Sequence, residues 1–208
     1  NFGDVFAGYV AAQMGLPIER LIVATNVNDI LHRALSSGDY SAGGVTATIT
    51  PSMDIQVSSN FERLLFDVGG RNGTAMAEQM RAFEATKAMQ LTNAQREGAA
   101  KLFTSARADA DQMAEAIRWA HDNCGELLDP HTAIGLHAAR VSGLSREVTV
   151  VTLATAHPAK FRDAVERAEK SANTPVRSVW IACAGAGLAS HVVAVDIEIG
   201  GRRIEDED

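Results

Sequence analysis

The chain has few aromatic residues and almost no cysteine. Aromatic side chains make up 5% of its 208 residues, although hydrophobic residues make up 46%. This balance indicates an aliphatic, helix-rich globular protein that is long enough to bury a full core. Its two cysteines, Cys124 and Cys183, are far apart and belong to no CxxC or histidine-rich pattern. We therefore expect neither a disulfide framework nor a zinc site, and a reducing, cytoplasmic compartment is the default.

Clusters of positive charge and long apolar runs are also missing from the sequence. The 19 lysines and arginines are scattered singly, and the formal net charge is -7. Proteins that bind nucleic acids or membrane surfaces usually carry clusters of lysine and arginine. The scattered charge of this chain therefore argues against either partner. No apolar run approaches the ~20 residues of a membrane-spanning helix.

The N-terminal part of the chain combines helical and buried-strand patterns. Apolar residues recur at helical spacing over residues 4–14, and Gly15 follows as a stop. Residues 21–24 form a short, continuously apolar run, which is typical of a parallel strand covered on both faces. A second helix is predicted over residues 28–35, beginning at an Asn-Asp cap. A helix followed by a buried strand indicates an α/β protein.

The middle of the chain is predicted to be mainly helical. Residues 40–51 are rich in Gly and Thr with a short alternation, which predicts a loop that contains a short strand. The string SNFE at residues 59–62 matches a capping box, in which a Ser and a Glu each bond a free backbone N–H, and it predicts a helix over residues 60–68. Two or three helices are predicted for residues 74–124, one of them starting at the capping box TNAQ at residues 92–95.

The C-terminal half begins with a strong helix start. Asp129 can cap a helix that opens with proline, which predicts a helix over residues 130–141. Residues 148–153 are predicted to form a second buried strand, and a helix is predicted from Pro158 onward. The expected architecture is a helix-rich insertion, at about residues 72–125, between two pieces of parallel sheet.

Four short strings carry the most specific signal in the sequence. They are NFGD at residues 1–4, PSMDIQVSSNFER at 51–63, DPHT at 129–132 and TLATAHPAKF at 152–161. In this order they resemble threonine synthases, which are pyridoxal-phosphate-dependent enzymes with the fold of the tryptophan-synthase β-subunit group. The string at 51–63 is the most specific, since no general structural need dictates so many consecutive residue types. The resemblance covers residues 1–161 and implies conversion of O-phosphohomoserine and water to threonine and phosphate.

The resemblance also implies a fold, and it implies that the N-terminal half of the enzyme is absent from this chain. It implies a three-layer α/β fold with partial parallel sheets, part of a two-lobe enzyme of fold type II, in which residues 1–170 form the C-terminal part of the catalytic region. In the family a Gly precedes the position of Asn1, and the Schiff-base lysine lies far upstream. None of the lysines present has the family's lysine context: Lys87, Lys101, Lys160 and Lys170. We therefore expect a fragment that begins inside a motif, contains no catalytic residue, lacks its N-terminal half and is inactive alone.

Five residues are predicted to bind the cofactor. Asn1, Phe2, Gly3 and Asp4 precede a helix, where unpaired N–H groups and the positive end of the helix dipole attract a phosphate. Gly3 permits close approach because it has no Cβ. The Asp4 carboxylate is better suited to capping its own helix. Thr155 follows a predicted strand, where ligands of open α/β sheets bind, and the resemblance makes its hydroxyl the partner of the pyridine nitrogen.

Other polar residues in these strings have weaker functional signals. His131 and His157 lie beside prolines at helix starts, and a structural role is favoured over general-base catalysis for both. Arg63 can either clamp a substrate phosphate with two hydrogen bonds or lie exposed on a capped helix with Asn60, so the substrate site is left unassigned. The remaining histidines show no metal-ligand spacing.

The tail at residues 171–208 departs from the family pattern. It is rich in small and β-branched residues, and two explanations stay open: a divergent C-terminal strand pair, or a wrong reading frame or chimeric junction near residue 171.

Two rival functions also stay open for the complete protein. One is a threonine-synthase-like phospholyase that acts on another phosphorylated amino alcohol. The other is a non-catalytic subunit or interaction protein that has kept the fold.

Overall fold

The computed structural model describes residues 1–145 and 147–161 of the chain. In this part, seven α-helices surround two strands. In chain order they are α1 (Gly3–Gln13), β1 (Leu21–Thr25), α2 (Ile30–Ser37), α3 (Phe61–Val68), α4 (Gly73–Thr86), α5 (Asn93–Ala100), β2 (Phe103–Arg107), α6 (Ala110–Cys124) and α7 (Pro130–Val141), with 3-10 turns at Pro51–Met53 and Pro158–Lys160. No helix among these residues is long and apolar enough to cross a membrane.

The two strands form a small parallel sheet. Leu21 pairs with Phe103 at one end of β1 and β2, and Thr25 pairs with Arg107 at the other. The α/β class and the strand at residues 21–24 are thus confirmed. β2 was not predicted, because it lies inside the segment assigned to helices and Phe103 is its only buried residue. A strand with one buried side chain shows no apolar run and no clear alternation.

Two other predicted strands are not formed. The described structure has a loop at residues 40–50, where Tyr40 and Met89 exchange backbone hydrogen bonds of 2.9 and 3.2 Å. Residues 148–153 are not a strand either, and the Val151 and Leu153 side chains are 77% and 56% exposed. An apolar run becomes a strand only where a neighbour satisfies its backbone, and no described strand pairs with this one.

Two helices, α5 and α7, begin at their predicted caps. Thr92 and Gln95 form the capping box of α5, and Asp129 caps α7, in which proline is the first residue. The capping box predicted for α3 is wrong. Asn60 is the N-cap of this helix and makes no side-chain cap bond. Because the helix starts one residue later than predicted, Glu62 lies too close to the cap to complete the box.

Most of the aromatic residues that the structure describes lie in one core. The Phe2 ring lies 5.2 Å from that of Phe61 and 5.6 Å from that of Phe103, between their centroids. Tyr40 continues the cluster at 5.2 Å from Phe61 and 4.9 Å from Phe83. Since offset and edge-to-face ring pairs stabilise beyond the area they bury, this cluster ties the start of α1 to α3, α4 and the sheet. A second core, between α6 and α7, contains Met113, Ile117 and Ile134.

The predicted helix after Pro158 is described only in its first turn. Pro158–Lys160 is a 3-10 turn, and the His157 ring nitrogen Nδ1 accepts a hydrogen bond of 3.2 Å from the N–H of Ala159. His157 therefore caps this turn, in agreement with the structural role predicted for it. The rest of that helix, Lys170, Cys183 and the predicted tail at residues 171–208 lie outside the described residues.

Candidate functional site

The first residues of the chain form a tight turn at the start of α1. Phe2 is the N-cap, with a left-handed φ of 68°, and its buried ring belongs to the aromatic core. The N–H of Gly3 donates to Oδ1 of Asn1 at 2.9 Å. A Cβ on Gly3 would lie 3.0 Å from the same Oδ1 atom, so the turn leaves little room for a side chain there.

Two backbone donors at this end of α1 are available to a ligand. The N–H groups of Asp4 and Val5 make no hydrogen bond within the described part of the chain. Asp4 lies exposed in the first turn and is not the N-cap, so the capping role predicted for its carboxylate is wrong. Free N–H groups at the positive end of an 11-residue helix suit an anion such as a phosphate.

A second polar cluster is centred on Asp129, which is 1% exposed. Its carboxylate accepts hydrogen bonds from the backbone N–H of His131 at 2.9 Å and from the ring Nδ1 of His131 at 3.0 Å. It also accepts from the backbone N–H of Thr132 at 3.4 Å and from the Thr132 hydroxyl. Burial alone would raise the pKa of Asp129, but the hydrogen bonds from His131 and Thr132 outweigh burial and hold this pKa below its usual value.

The His131 ring is engaged on both of its nitrogens. Nδ1 bonds the Asp129 carboxylate, and Nε2 accepts a hydrogen bond of 3.3 Å from the backbone N–H of Ser52. The network therefore assigns a neutral imidazole with its proton on Nδ1. The ring is buried and lies 4.6 Å from the ring of Phe161. This arrangement leaves neither nitrogen free for proton transfer to a ligand.

Thr155 is held beside this cluster. Its backbone N–H donates to Oγ1 of Thr132 at 3.1 Å. Its side chain is exposed, and its hydroxyl makes no hydrogen bond with any other described residue. Because residues 148–153 do not form a strand, the position of Thr155 comes from its contact with α7 and not from the predicted strand end.

A third polar cluster, which was not predicted, follows β1 directly. The Asp54 carboxylate accepts from the side-chain Nδ2 of Asn26 at 2.7 Å and of Asn28 at 2.9 Å. It also accepts from the backbone N–H and the hydroxyl of Thr48, both at 2.7 Å. The available sequence signal was the pair of asparagines just after a buried strand, since polar residues at the carboxyl end of a parallel strand often line a ligand site.

The string at residues 51–63 joins all three clusters. Asn60 bonds the backbone carbonyl of Asn1, Ser52 bonds His131, and Asp54 bonds the asparagines after β1. One continuous segment therefore connects the start of α1 to the neighbourhood of Thr155. No group of His, Cys, Asp and Glu that could hold a metal ion occurs among the described residues.

Arg63, at the end of the same string, is exposed on α3. It borders a cavity of about 680 Å³ between α1, α3 and α4, whose walls are largely apolar. The described structure contains no hydrogen bond or ion pair from the Arg63 side chain, so α3 holds the guanidinium at the surface without a fixed partner.

The described fold is of the α/β class, with a parallel sheet whose carboxyl end carries polar residues. A sequence profile for "Threonine synthase, C-terminal" matches residues 132–183. The threonine synthase of Pseudomonas aeruginosa is 54% identical over 168 residues, which cover 81% of this chain and 36% of that protein.

Solved structures give the same result. The pyridoxal-phosphate-bound threonine synthase from Brucella melitensis matches with a TM-score of 0.77 and 49% identity, and yeast threonine synthase with a TM-score of 0.77 and 39% identity. Each match covers 81% of this chain and 36% of the solved chain. Over the matched residues the chain is similar in sequence and fold to threonine synthases, which confirms the resemblance. The chain spans about a third of the length of these relatives.

Proposed function

We propose that this chain is the part of a threonine synthase that holds the cofactor phosphate and the pyridine nitrogen. The complete enzyme would convert O-phospho-L-homoserine and water to L-threonine and phosphate with pyridoxal 5'-phosphate, in the cytoplasm. The observation that carries this proposal is the bonding of the string at residues 51–63, through Asn60 to Asn1 and through Ser52 to the cluster that holds Thr155. The relatives named threonine synthase, and a structural neighbour with the cofactor bound, support it.

The residues present fit the cofactor. The free N–H groups of Asp4 and Val5 suit its phosphate, with Asn1, Phe2 and Gly3 shaping the turn that presents them. The Thr155 hydroxyl, which has no hydrogen-bond partner among the described residues, suits a ring nitrogen. When bound, pyridoxal phosphate acts as an electron sink for negative charge on the substrate carbons. A neutral hydroxyl does not force the ring nitrogen to stay protonated, so this residue would moderate the electron withdrawal.

We infer that the remaining parts of the site lie in the portion of the relatives that this chain does not span. That portion would supply the Schiff-base lysine and the opposing lobe of a two-lobe, fold type II enzyme. The three described lysines, Lys87, Lys101 and Lys160, are all exposed, and none of them lines the cavity between α1, α3 and α4. The chain alone is therefore proposed to be inactive, with its residues 1–170 belonging to the catalytic region.

The test of this function is Thr155→Ala in a complete enzyme that contains this segment, with Thr155→Ser as the matched control. Loss of one hydrogen bond of about 1 kcal/mol should weaken cofactor binding about fivefold, and Ser should restore it. Cofactor affinity is measured by titrating the apoenzyme and following the absorbance of the bound cofactor. Unchanged affinity and turnover in Thr155→Ala would overturn the role of this hydroxyl.

A second experiment assays the complete enzyme with O-phosphohomoserine and with another phosphorylated amino alcohol. The preferred substrate distinguishes a threonine synthase from a related phospholyase.

A further inference from the structure

Thr155 belongs to a segment that α7 holds by two neighbouring contacts. Residues 149–155 have no regular secondary structure, so backbone pairing does not fix them. The first contact is the hydrogen bond from the N–H of Thr155 to Oγ1 of Thr132. The second is the methyl group of Thr152, which would lie 3.1 Å from a Cβ placed on Gly135. Thr132 and Gly135 are three residues apart, so they share one face of the helix.

The direction of the Thr132 hydroxyl is fixed by Asp129. The hydroxyl donates its one proton to the Asp129 carboxylate, so its oxygen can only accept a hydrogen bond from Thr155. Thr132 is 5% exposed and Asp129 is 1% exposed, and water therefore does not compete strongly for either bond. A buried, fully bonded acceptor of this kind sets the position of its donor more sharply than an exposed one.

We propose that Thr132 is a positioning residue, which places the Thr155 hydroxyl at the cofactor's ring nitrogen by holding the Thr155 backbone against α7. The proposal rests on the proposed function, because it assumes that the Thr155 hydroxyl meets the cofactor. Thr132 itself touches neither cofactor nor substrate in this scheme. The function of DPHT, the string at residues 129–132, is then to orient a hydroxyl that lies 23 positions further along the chain.

The experiment uses a complete enzyme that contains this segment, with Thr132→Val and Thr132→Ser compared in two backgrounds, wild type and Thr155→Ala. Valine keeps the shape of threonine but removes the hydroxyl, and serine keeps the hydroxyl. In the wild-type background, Thr132→Val should weaken cofactor binding about fivefold and Thr132→Ser should bind within about twofold of wild type. The readouts are the cofactor dissociation constant and the absorption spectrum of the bound cofactor.

The decisive comparison is the Thr155→Ala background. If Thr132 acts through the Thr155 hydroxyl, Thr132→Val should have almost no further effect once that hydroxyl is gone. An equal loss of affinity in both backgrounds would show a general packing role and overturn the proposal, while leaving the proposed function standing. No effect of Thr155→Ala by itself would overturn both the role proposed for the Thr155 hydroxyl and this proposal.

A second variant, Gly135→Ala, tests the proposal even if Thr132→Val fails to fold. Gly135→Ala places a Cβ against the Thr152 methyl and shifts the same segment without touching the Asp129 cluster. It should weaken cofactor binding in the wild-type background and have little effect in Thr155→Ala. Unchanged cofactor affinity in both Gly135→Ala and a folded Thr132→Val protein would overturn the proposal.

Discussion

Asn60 donates two hydrogen bonds to a single acceptor, the backbone carbonyl oxygen of Asn1, from its backbone N–H at 3.2 Å and from its side-chain Nδ2 at 3.1 Å. The next residue, Phe61, packs its ring against that of Phe2. Two consecutive residues at the start of α3 thus hold two consecutive residues of the turn before α1. The left-handed backbone of Phe2 is supported on both sides, by a polar contact and by the aromatic core.

Asn60→Ala should loosen this turn and weaken binding of the cofactor phosphate in a complete enzyme. The substitution removes the Nδ2 donor but keeps the backbone bond, so an effect of about 1 kcal/mol, or about fivefold in affinity, is expected. Asn93→Ala is the matched control, because Asn93 also lies at a helix start but its side chain makes no hydrogen bond among the described residues. Equal cofactor affinities in the two variants would contradict the prediction.

The sequence predicts the helices of this protein better than its strands. The starts of α5 and α7 depend on residues only a few positions apart, at Thr92 and Asp129, and both were predicted. A strand depends on a distant partner. β2 was missed and residues 148–153 were wrongly assigned, because nothing in either segment reveals whether a neighbouring strand is present.

The candidate site was also predicted only in part from the sequence. Asn1 to Asp4 and Thr155 were predicted from local strings and from the family resemblance. The hydrogen bonds that join them were not, since they link Asn1 to Asn60 and Ser52 to His131 across long stretches of chain. The string at residues 51–63 was recognised as specific, but its function as a connector follows only from the folded structure.

Asp129→Ala should destabilise the protein more than Asp109→Ala does. Both aspartates are N-caps that accept two backbone N–H bonds in the first turn of a helix. The Asp109 carboxylate only caps its helix, so Asp109→Ala should lower the free energy of unfolding by about 1 kcal/mol. Loss of Asp129 also leaves the Thr132 hydroxyl and the His131 ring buried without their acceptor, so about 3 kcal/mol is expected. Urea unfolding of the two variants measures the difference, and equal costs would contradict it.

Gly98→Ala should destabilise the protein although alanine is the better helix former. A Cβ on Gly98 would lie 2.7 Å from the Cβ of Val68, so α5 and α3 would have to separate. The overlap costs about 1–3 kcal/mol and outweighs the gain of about 1 kcal/mol in helix propensity. Gly73→Ala is the control, because a Cβ added there, at the start of α4, meets no atom within 4 Å beyond the adjoining backbone. Thermal unfolding should show a lower midpoint for Gly98→Ala only.

Borohydride reduction of the isolated chain with pyridoxal phosphate should trap no specific lysine adduct. The described lysines are exposed, so any reaction should be slow and spread over several positions. Mass spectrometry of a digest locates the adducts. A single stoichiometric adduct at Lys87, Lys101, Lys160 or Lys170 would show that the chain carries its own cofactor lysine, against the proposal that it is inactive alone.

Tyr9 should make stability depend on alkaline pH. Its hydroxyl donates to the Asp67 carboxylate, which also accepts from Nε of Arg71. Burial, together with the hydrogen bond and the charge of Asp67, raises the pKa of Tyr9 to about 12 from an ordinary value near 10. A folded-state pKa above the unfolded one means that the neutral phenol contributes stability fully below about pH 10, and that this contribution is lost as the pH rises toward about 12.

Tyr9→Phe tests this dependence, because phenylalanine keeps the ring and removes the ionising group. Tyr40, whose pKa is also raised by burial, is present in both proteins, so its titration cancels in the comparison. The free energy of unfolding, measured in urea from about pH 8 to about pH 11.5, should differ by a constant amount up to about pH 10. Above that pH the wild type should lose stability faster than Tyr9→Phe, and the two curves should converge. Curves that stay parallel over the whole range would show that the Tyr9 hydroxyl is not held by Asp67 in the folded protein.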